Sequence, residues 1–290
     1  VKLGAVSFMT DYSIDPVEFA RELEAHGYDS LWAGDHSHIP VSERARGTDV
    51  SGEPLRQYKH LLDPIVVLSA AASATRTLKL GTGMLLLAQR EPIQTAKSLA
   101  SIDFISDGRL IVGVASGWNV KELRNHGTDP AQRWAVLEER LVAMREIWSE
   151  GIAEHHGEHV DFTPLVAWPK PAPPVVIGCE PRHFHRVVAH ADGWGPLFDH
   201  EPGQELKEQI GTLQRRAAVA GRESIAVTVF RVVPTISELR LGSELVVSAS
   251  EMRRYEEAGV DRLVVVLPPE RELMLPLLEH YARILVSAAA

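Results

Sequence analysis

Ala258-Gly259-Val260-Asp261-Arg262-Leu263-Val264-Val265-Val266-Leu267 is the stretch on which the fold reading turns. Gly259 follows an amphipathic run over 248–258 and suits a left-handed helix cap. Leu263–Leu267, after Arg262, is then apolar at consecutive positions, with no polar alternation. That pattern marks a parallel strand covered on both faces. A second amphipathic run, 270–287, comes next. The same order recurs along the whole chain. Strand-like runs lie at Lys2–Phe8, Ser30–Gly34, Lys79–Leu87, Arg109–Ala115, Val175–Cys179, Gly193–Leu197 and Ile225–Val233. Helix-like runs follow them at about 15–26, 63–75, 91–105, 132–150, 181–191 and 202–220. Asp15-Pro16, Asp63-Pro64, Glu91-Pro92 and Glu180-Pro181 place proline in the first helical turn, where its missing N–H does no harm. Gly27 and Gly221 suit further left-handed caps.

Eight alternations without a break in composition predict one α/β domain over 1–290, a (β/α)8 TIM barrel. An open doubly wound sheet is the alternative, but Ser7-Phe8-Met9-Thr10 after the first strand lacks its Gly-x-Gly-x-x-Gly turn. Three connections are long: Ser37–Leu62 after strand 2, Trp118–Ala131 after strand 4, and Gly151–Pro174 before strand 5. The first two leave strand C-termini, where barrel active sites are built. The third reads as a hairpin turning near Gly157.

The net charge of −9, with both signs mixed along the chain, provides no basic face for nucleic acid. A single cysteine, Cys179, excludes an intramolecular disulfide and a Cys-only zinc site. No window of about 18 apolar residues exists, so no membrane-spanning helix is expected. Val1–Met9 reads as a strand and not as a signal peptide, which makes the cytoplasm the expected location.

Four constellations can carry chemistry. Asp35-His36 emerges at the end of strand 2. Imidazole suits proton traffic near neutral pH, and a neighbouring carboxylate can orient it; a capping Asp beside a solvated His is the alternative. His36-x-His38 also permits a metal, but strands 5, 6 and 8 offer no further ligands. In Leu80-Gly81-Thr82-Gly83-Met84-Leu85-Leu86-Leu87, two glycines inside an apolar strand suggest that backbone approaches a ligand; tight packing is the alternative. Ala115-Ser116-Gly117-Trp118-Asn119 is a turn whose N–H groups suit a polar cofactor, with Trp118 placed to cover a ring or plug the barrel mouth. Gly178-Cys179-Glu180-Pro181-Arg182-His183 opens a helix, and Arg182 and Arg186 add positive charge suited to phosphate; solvated helix residues are the alternative. Cys179 itself reads as a packed thiol.

Taken together these segments resemble the luciferase-like monooxygenase superfamily, and most of all its branch that uses the deazaflavin coenzyme F420. The resemblance runs from Gly27-Tyr28-Asp29-Ser30-Leu31-Trp32-Ala33-Gly34-Asp35-His36 through Leu62-Asp63-Pro64, Leu80–Leu87, Arg90-Glu91-Pro92, Ser106-Asp107-Gly108-Arg109-Leu110, Gly113–Asn119 and Glu122-Leu123 to Ala191-Asp192-Gly193-Trp194. It implies that Asp35 and His36 lie against the cofactor ring, with His36 managing the proton of a hydride transfer. Thr82, Gly83 and Met84 would back the ring, at a place where the family commonly has a cis peptide. Gly117, Trp118 and Asn119 would flank the cofactor's side chain, with Gly178, Cys179 and Arg182 near its phosphate. Two positions depart from the family pattern: Cys179 stands where a second glycine is common, and Trp118 where the sugar-phosphate dehydrogenases carry an acidic glutamate. The expected function is hydride exchange between F420 and a small organic substrate. An FMN-dependent monooxygenase, served by a flavin-reducing partner enzyme, is the alternative. Trp194 and Phe198 are the expected substrate-pocket residues, and a homodimer is the assembly the family suggests.

Overall fold

Parallel strands close on themselves in the computed structural model, which describes residues 1–41, 56–149, 151–171, 173–196, 201–232 and 247–289. The barrel strands are β1 (Lys2–Ser7), β2 (Ser30–Ala33), β3 (Lys79–Thr82) continued by β4 (Leu85–Leu86), β5 (Leu110–Ala115), β8 (Val175–Cys179), β9 (Gly193–Pro196), β10 (Ala226–Val232) and β11 (Arg262–Leu267). Closure joins the two ends of the chain, with Gly4 opposite both Ser30 and Val264. The fold is the expected (β/α)8 barrel. Around it lie α1 (Pro16–Ala25), α3 (Pro64–Ala74), α4 (Pro92–Ser106), α6 (Arg133–Trp148), α7 (Phe184–His190), α8 (Gln204–Val219), α9 (Ala249–Ala258) and α10 (Arg271–Ala289). Between them come two short helices, α2 (Arg56–Lys59) and α5 (Val120–Asn125), and a hairpin of β6 (Ala153–His156) and β7 (Asp161–Leu165). Among the described residues, no helix is long and apolar enough to cross a membrane.

The local signals act as expected. Asp15, Asp63 and Glu91 each accept two amide N–H bonds at the start of a helix whose next residue is proline. Gly27, Gly221 and Gly259 all sit at positive φ. Two boundaries differ. The third strand is interrupted at Gly83-Met84, whose peptide is cis. The run after β8 opens as a single 3-10 turn, Pro181–His183, before α7. Leu197, Phe198 and Val233 lie outside the described residues.

Alternation along the strands divides the core in two. Leu31, Val112, Ile177 and Val265 face the helices. Val6, Trp32, Ile111, Val176 and Val264 fill the barrel, with Met84, Phe230 and Val266 above them. Trp32 is fully buried, and its Nε1 donates to Ser30 Oγ at 3.0 Å. An indole of about 200 Å² at ~25 cal/mol per Å² contributes at most about 5 kcal/mol. Its size decides its neighbours. A Cβ on Gly81 would overlap the Trp32 ring, and one on Gly113 would meet Thr82 O and the Met84 sulfur. The strand-3 glycine pair therefore answers to packing at Gly81, not to ligand approach. Gly83 is held in the same way, since a Cβ there would lie 3.2 Å from both Phe230 and Trp32.

Arg109 ties the helix ends to the barrel floor. Buried, it donates to Ser106 O, Thr75 Oγ1, Leu78 O, Ala72 O and Thr75 O at 2.6–3.1 Å. These acceptors sit at and beyond the C-terminal ends of α3 and α4, where carbonyls lack helical partners. Its planar fork suits several acceptors at once.

Candidate active site

The C-terminal rim of the barrel carries the site. Strand β2 ends at Ala33, and the chain turns through Gly34 so that Asp35 and His36 diverge. His36 is buried at the mouth. Its Nδ1 lies 2.7 Å from Glu122 Oε2, and Trp118 Nε1 donates to its Nε2 at 3.2 Å. Tyr58 on α2 meets the imidazole edge-on at 5.3 Å and also contacts Phe8, edge-on at 5.0 Å. Phe8, Tyr58, Trp118 and His36 thus form an aromatic wall. Burial pushes the Tyr58 hydroxyl above its ordinary range, so it remains a neutral donor.

Asp35 points away from that wall. Its Oδ2 accepts from Leu86 N and from Arg90 Nε, both at 2.9 Å, and its Oδ1 from Arg90 Nη2 at 2.7 Å. Arg90 also donates to Asp63 at 2.8 Å. Both Asp35 oxygens are thereby engaged in bracing β4, so it positions the rim and does not present an oxygen to the mouth. Of the Asp35-His36 pair that the sequence placed together at the rim, only His36 thus turns its side chain to the mouth.

Glu122 on α5 is fully buried. Besides His36 it receives the Ser37 N–H at 3.1 Å and the Ser37 hydroxyl at 3.5 Å. Burial alone would raise its pKa; the bonds and charge of its neighbours outweigh that and hold it below the ordinary carboxylate range. Asn119 caps α5, its Oδ1 accepting from the amides of Lys121 and Glu122. That oxygen is engaged in the helix end. Thr82 is likewise turned inward, donating to Gly113 O at 2.7 Å while fully buried. It ties β3 to β5 across the interruption. Met84 lies half-buried over the barrel core.

Beside the mouth, Leu86, Ala115, Ser116, Gly117, Trp118, Arg133, Trp134, Gly178, Glu180, Arg182 and His183 line a cavity of about 220 Å³. Gly117 sits at φ +83°, a conformation that favours glycine. Arg182 reaches the cavity as an exposed side chain paired with Glu180 at 2.6 Å. Arg186 instead pairs with Glu138 and lies over the Trp134 ring. Arg133, which the sequence reading missed, has a buried Nε without a hydrogen-bond partner. A lone arginine at a helix start carries no signal to single it out. The orphaned guanidinium nitrogen and the glycine turns fit a phosphate-bearing ring cofactor with its anionic end in this cavity.

Two expected site residues face elsewhere. Cys179 is fully buried on the helix-facing side of β8, and burial pushes its thiol up to about 12. Trp194 pairs in register with Ile177 and Val227, so its ring points toward α7. There it packs edge-on against Phe184 at 4.8 Å and donates to Cys179 O at 2.9 Å. Trp194 is a core residue and not substrate-pocket lining. Phe198 lies outside the described residues. Among those described, no group of three or more His, Cys, Asp or Glu is arranged to hold a metal.

The sequence model of the luciferase-like monooxygenase family matches residues 14–238. Over 272 residues the chain is 36% identical to an uncharacterized protein of Mycobacterium tuberculosis, covering 91% of each. It is 27% identical over 167 residues to the F420-dependent glucose-6-phosphate dehydrogenase of Amycolatopsis mediterranei, covering 56% of this chain and 46% of that one. Among solved structures, an F420-dependent secondary alcohol dehydrogenase in complex with an F420–acetone adduct superposes with a TM-score of 0.77 at 17% identity, over 99% of this chain and 98% of that one. A monooxygenase of Streptomyces bottropensis gives 0.76 at 17% identity over the full length of both. At such identities the structural likeness speaks for the fold alone. The match across residues 14–238, with a relative 36% identical along 91% of both chains, establishes that this chain belongs to the luciferase-like monooxygenase family.

Proposed function

We propose that this chain transfers a hydride between the deazaflavin coenzyme F420 and a small organic substrate. The observation that carries the reading is His36, held at the barrel mouth between Glu122 and Trp118, beside a cavity with an unpartnered Arg133 Nε. The F420-dependent sequence relatives support the choice of coenzyme.

When bound, the deazaflavin supplies a ring carbon that carries hydride. Gly83 and Met84 would back its ring. Arg133, Arg182, His183 and the amides of Ser116, Gly117 and Gly178 would hold its phosphate end. His36 Nε2 takes the proton that leaves the substrate as the hydride departs, or returns it in the reverse direction. Glu122 balances the resulting imidazolium charge. Phe8, Tyr58 and Trp118 exclude water from the reacting atoms and orient a substrate against the ring.

An FMN-dependent monooxygenase is the second reading. It is favoured by a flavin-dependent monooxygenase relative at similar identity and by a cavity whose arginines suit the phosphate of either cofactor. Titrating the purified protein with F420 and with FMN, followed by fluorescence, separates them. Micromolar F420 binding without FMN binding is expected; FMN binding without F420 binding overturns the proposal. His36→Ala should lower turnover by more than it weakens cofactor binding.

A further inference from the structure

The imidazole of His36 sits between a donor that cannot accept and an acceptor that stays charged. Trp118 Nε1 has one hydrogen and no lone pair to offer. It points at His36 Nε2 from 3.2 Å, so that nitrogen carries the lone pair. Nδ1 then carries the proton and donates it to Glu122 Oε2 at 2.7 Å. Glu122 faces only donors: His36, the Ser37 N–H at 3.1 Å and the Ser37 hydroxyl at 3.5 Å. Its burial and this donor set make it a fixed acceptor.

We propose that Glu122 is the positioning residue that fixes His36 as the Nδ1–H tautomer, so that a basic Nε2 is offered to the barrel mouth, and that Trp118 caps this nitrogen until substrate displaces the indole. The proposal rests on the reading of His36 as the proton-handling group. When a substrate proton arrives at Nε2, the ring becomes an imidazolium with hydrogens on both nitrogens. The Nδ1 proton stays in place, and the Glu122 carboxylate balances the charge without itself being protonated. Two hydrogens would then face each other if the indole stayed, so Trp118 must turn aside. On return of the proton the cap closes again.

Glu122→Gln tests this directly. The amide has one oxygen and one NH2. The Ser37 N–H is main chain and can only donate, so the oxygen must stay there. The NH2 then faces Nδ1, which becomes an acceptor, and the ring proton moves to Nε2. Long-range proton–nitrogen NMR of the full chain, without cofactor and with the pH raised until the ring signals no longer change, reads the tautomer of the neutral ring. His36→Gln identifies the signals. The expected result is Nδ1–H in the parent and Nε2–H in Glu122→Gln. Trp118→Phe keeps the carboxylate and should retain Nδ1–H. An unchanged tautomer in Glu122→Gln overturns the proposal, as does a changed one in Trp118→Phe, which would transfer the role to the indole. Turnover of Glu122→Gln should fall about tenfold or more, with cofactor affinity changed less than twofold. The NMR result stands apart from the functional reading. A switched tautomer with undiminished turnover would keep the lock but remove His36 from the chemistry. An unswitched tautomer with an inactive His36→Ala would do the reverse.

Discussion

Asp35 and Arg90 form the pair whose removal most sharply separates structure from chemistry. The Asp35 side chain is 4% exposed and that of Arg90 19%. Three hydrogen bonds join this carboxylate to Arg90 and to Leu86 N. Each bond to a buried charge is worth about 1.5–3 kcal/mol when broken alone, but the three share one carboxylate and do not add. Arg90→Met leaves the carboxylate buried with only the Leu86 amide, and should destabilise the fold by about 3–5 kcal/mol. Asp35→Asn keeps one oxygen for Leu86 N, sets an NH2 against the guanidinium, and should cost about 2–3 kcal/mol. The double variant leaves no unpaired charge on the carboxylate side, so its loss should fall about 2–3 kcal/mol short of the sum. Urea unfolding of the four proteins measures the cycle, and cofactor titration and turnover are taken alongside. If Asp35 only braces β4, the remaining activity of Asp35→Asn tracks its folded fraction. Turnover abolished in a fully folded Asp35→Asn, with no coupling to Arg90, would refute the brace and return Asp35 to the chemistry.

Other perturbations follow from the same packing. Gly81→Ala places a methyl against the Trp32 ring and should lower stability by about 1–3 kcal/mol in urea unfolding; an unchanged midpoint would mean that the indole does not fill the barrel there. Arg109→Lys replaces a fork bonded to five buried acceptors by a single ammonium, and should lower stability by about 2–4 kcal/mol by the same measurement. Glu24 on α1 accepts from the amides of Arg76, Thr77 and Leu78; burial raises its pKa, but these bonds dominate and lower it to about 2. Because the folded pKa lies below the unfolded one, its contribution is complete above about pH 4.5 and fades as pH falls toward 2. Glu24→Gln should therefore cost about 1–2 kcal/mol at neutral pH, a figure kept small by its partial exposure, and nothing near the acid end of a pH series of denaturation curves.

The architecture was legible because its signals are local. A proline after an acidic cap, a glycine after an amphipathic run and an unbroken run of five apolar residues each act within a few residues of themselves. The eightfold order needed no knowledge of what touches what. The site was legible only in part, since a side chain's direction depends on register and on neighbours far along the chain. Asp35 and His36 are adjacent in sequence, yet one is drawn to Arg90 and the other to Glu122, 86 residues away. Trp194, at the start of its strand, reads equally well as core or as pocket lining. Its partners Ile177 and Val227 fix it on the helix-facing side, and a single shift of register would have turned it into the barrel interior.

The glycines show most clearly why composition alone misleads. Gly81, Gly113 and Gly195 come from three separated strands, and each alone reads as a weak place or a ligand contact. In space they surround two large side chains: Trp32 beside Gly81, and Met84 beside Gly113 and Gly195. Their small size is thus the complement of bulk supplied elsewhere, and the sum of volumes inside the barrel is what the fold constrains. A glycine at a strand centre argues for a ligand only after the interior has been accounted for. By that measure Gly117, at positive φ beside an unpartnered Arg133 Nε, keeps its claim on a ligand, while Gly81 yields to the indole of Trp32.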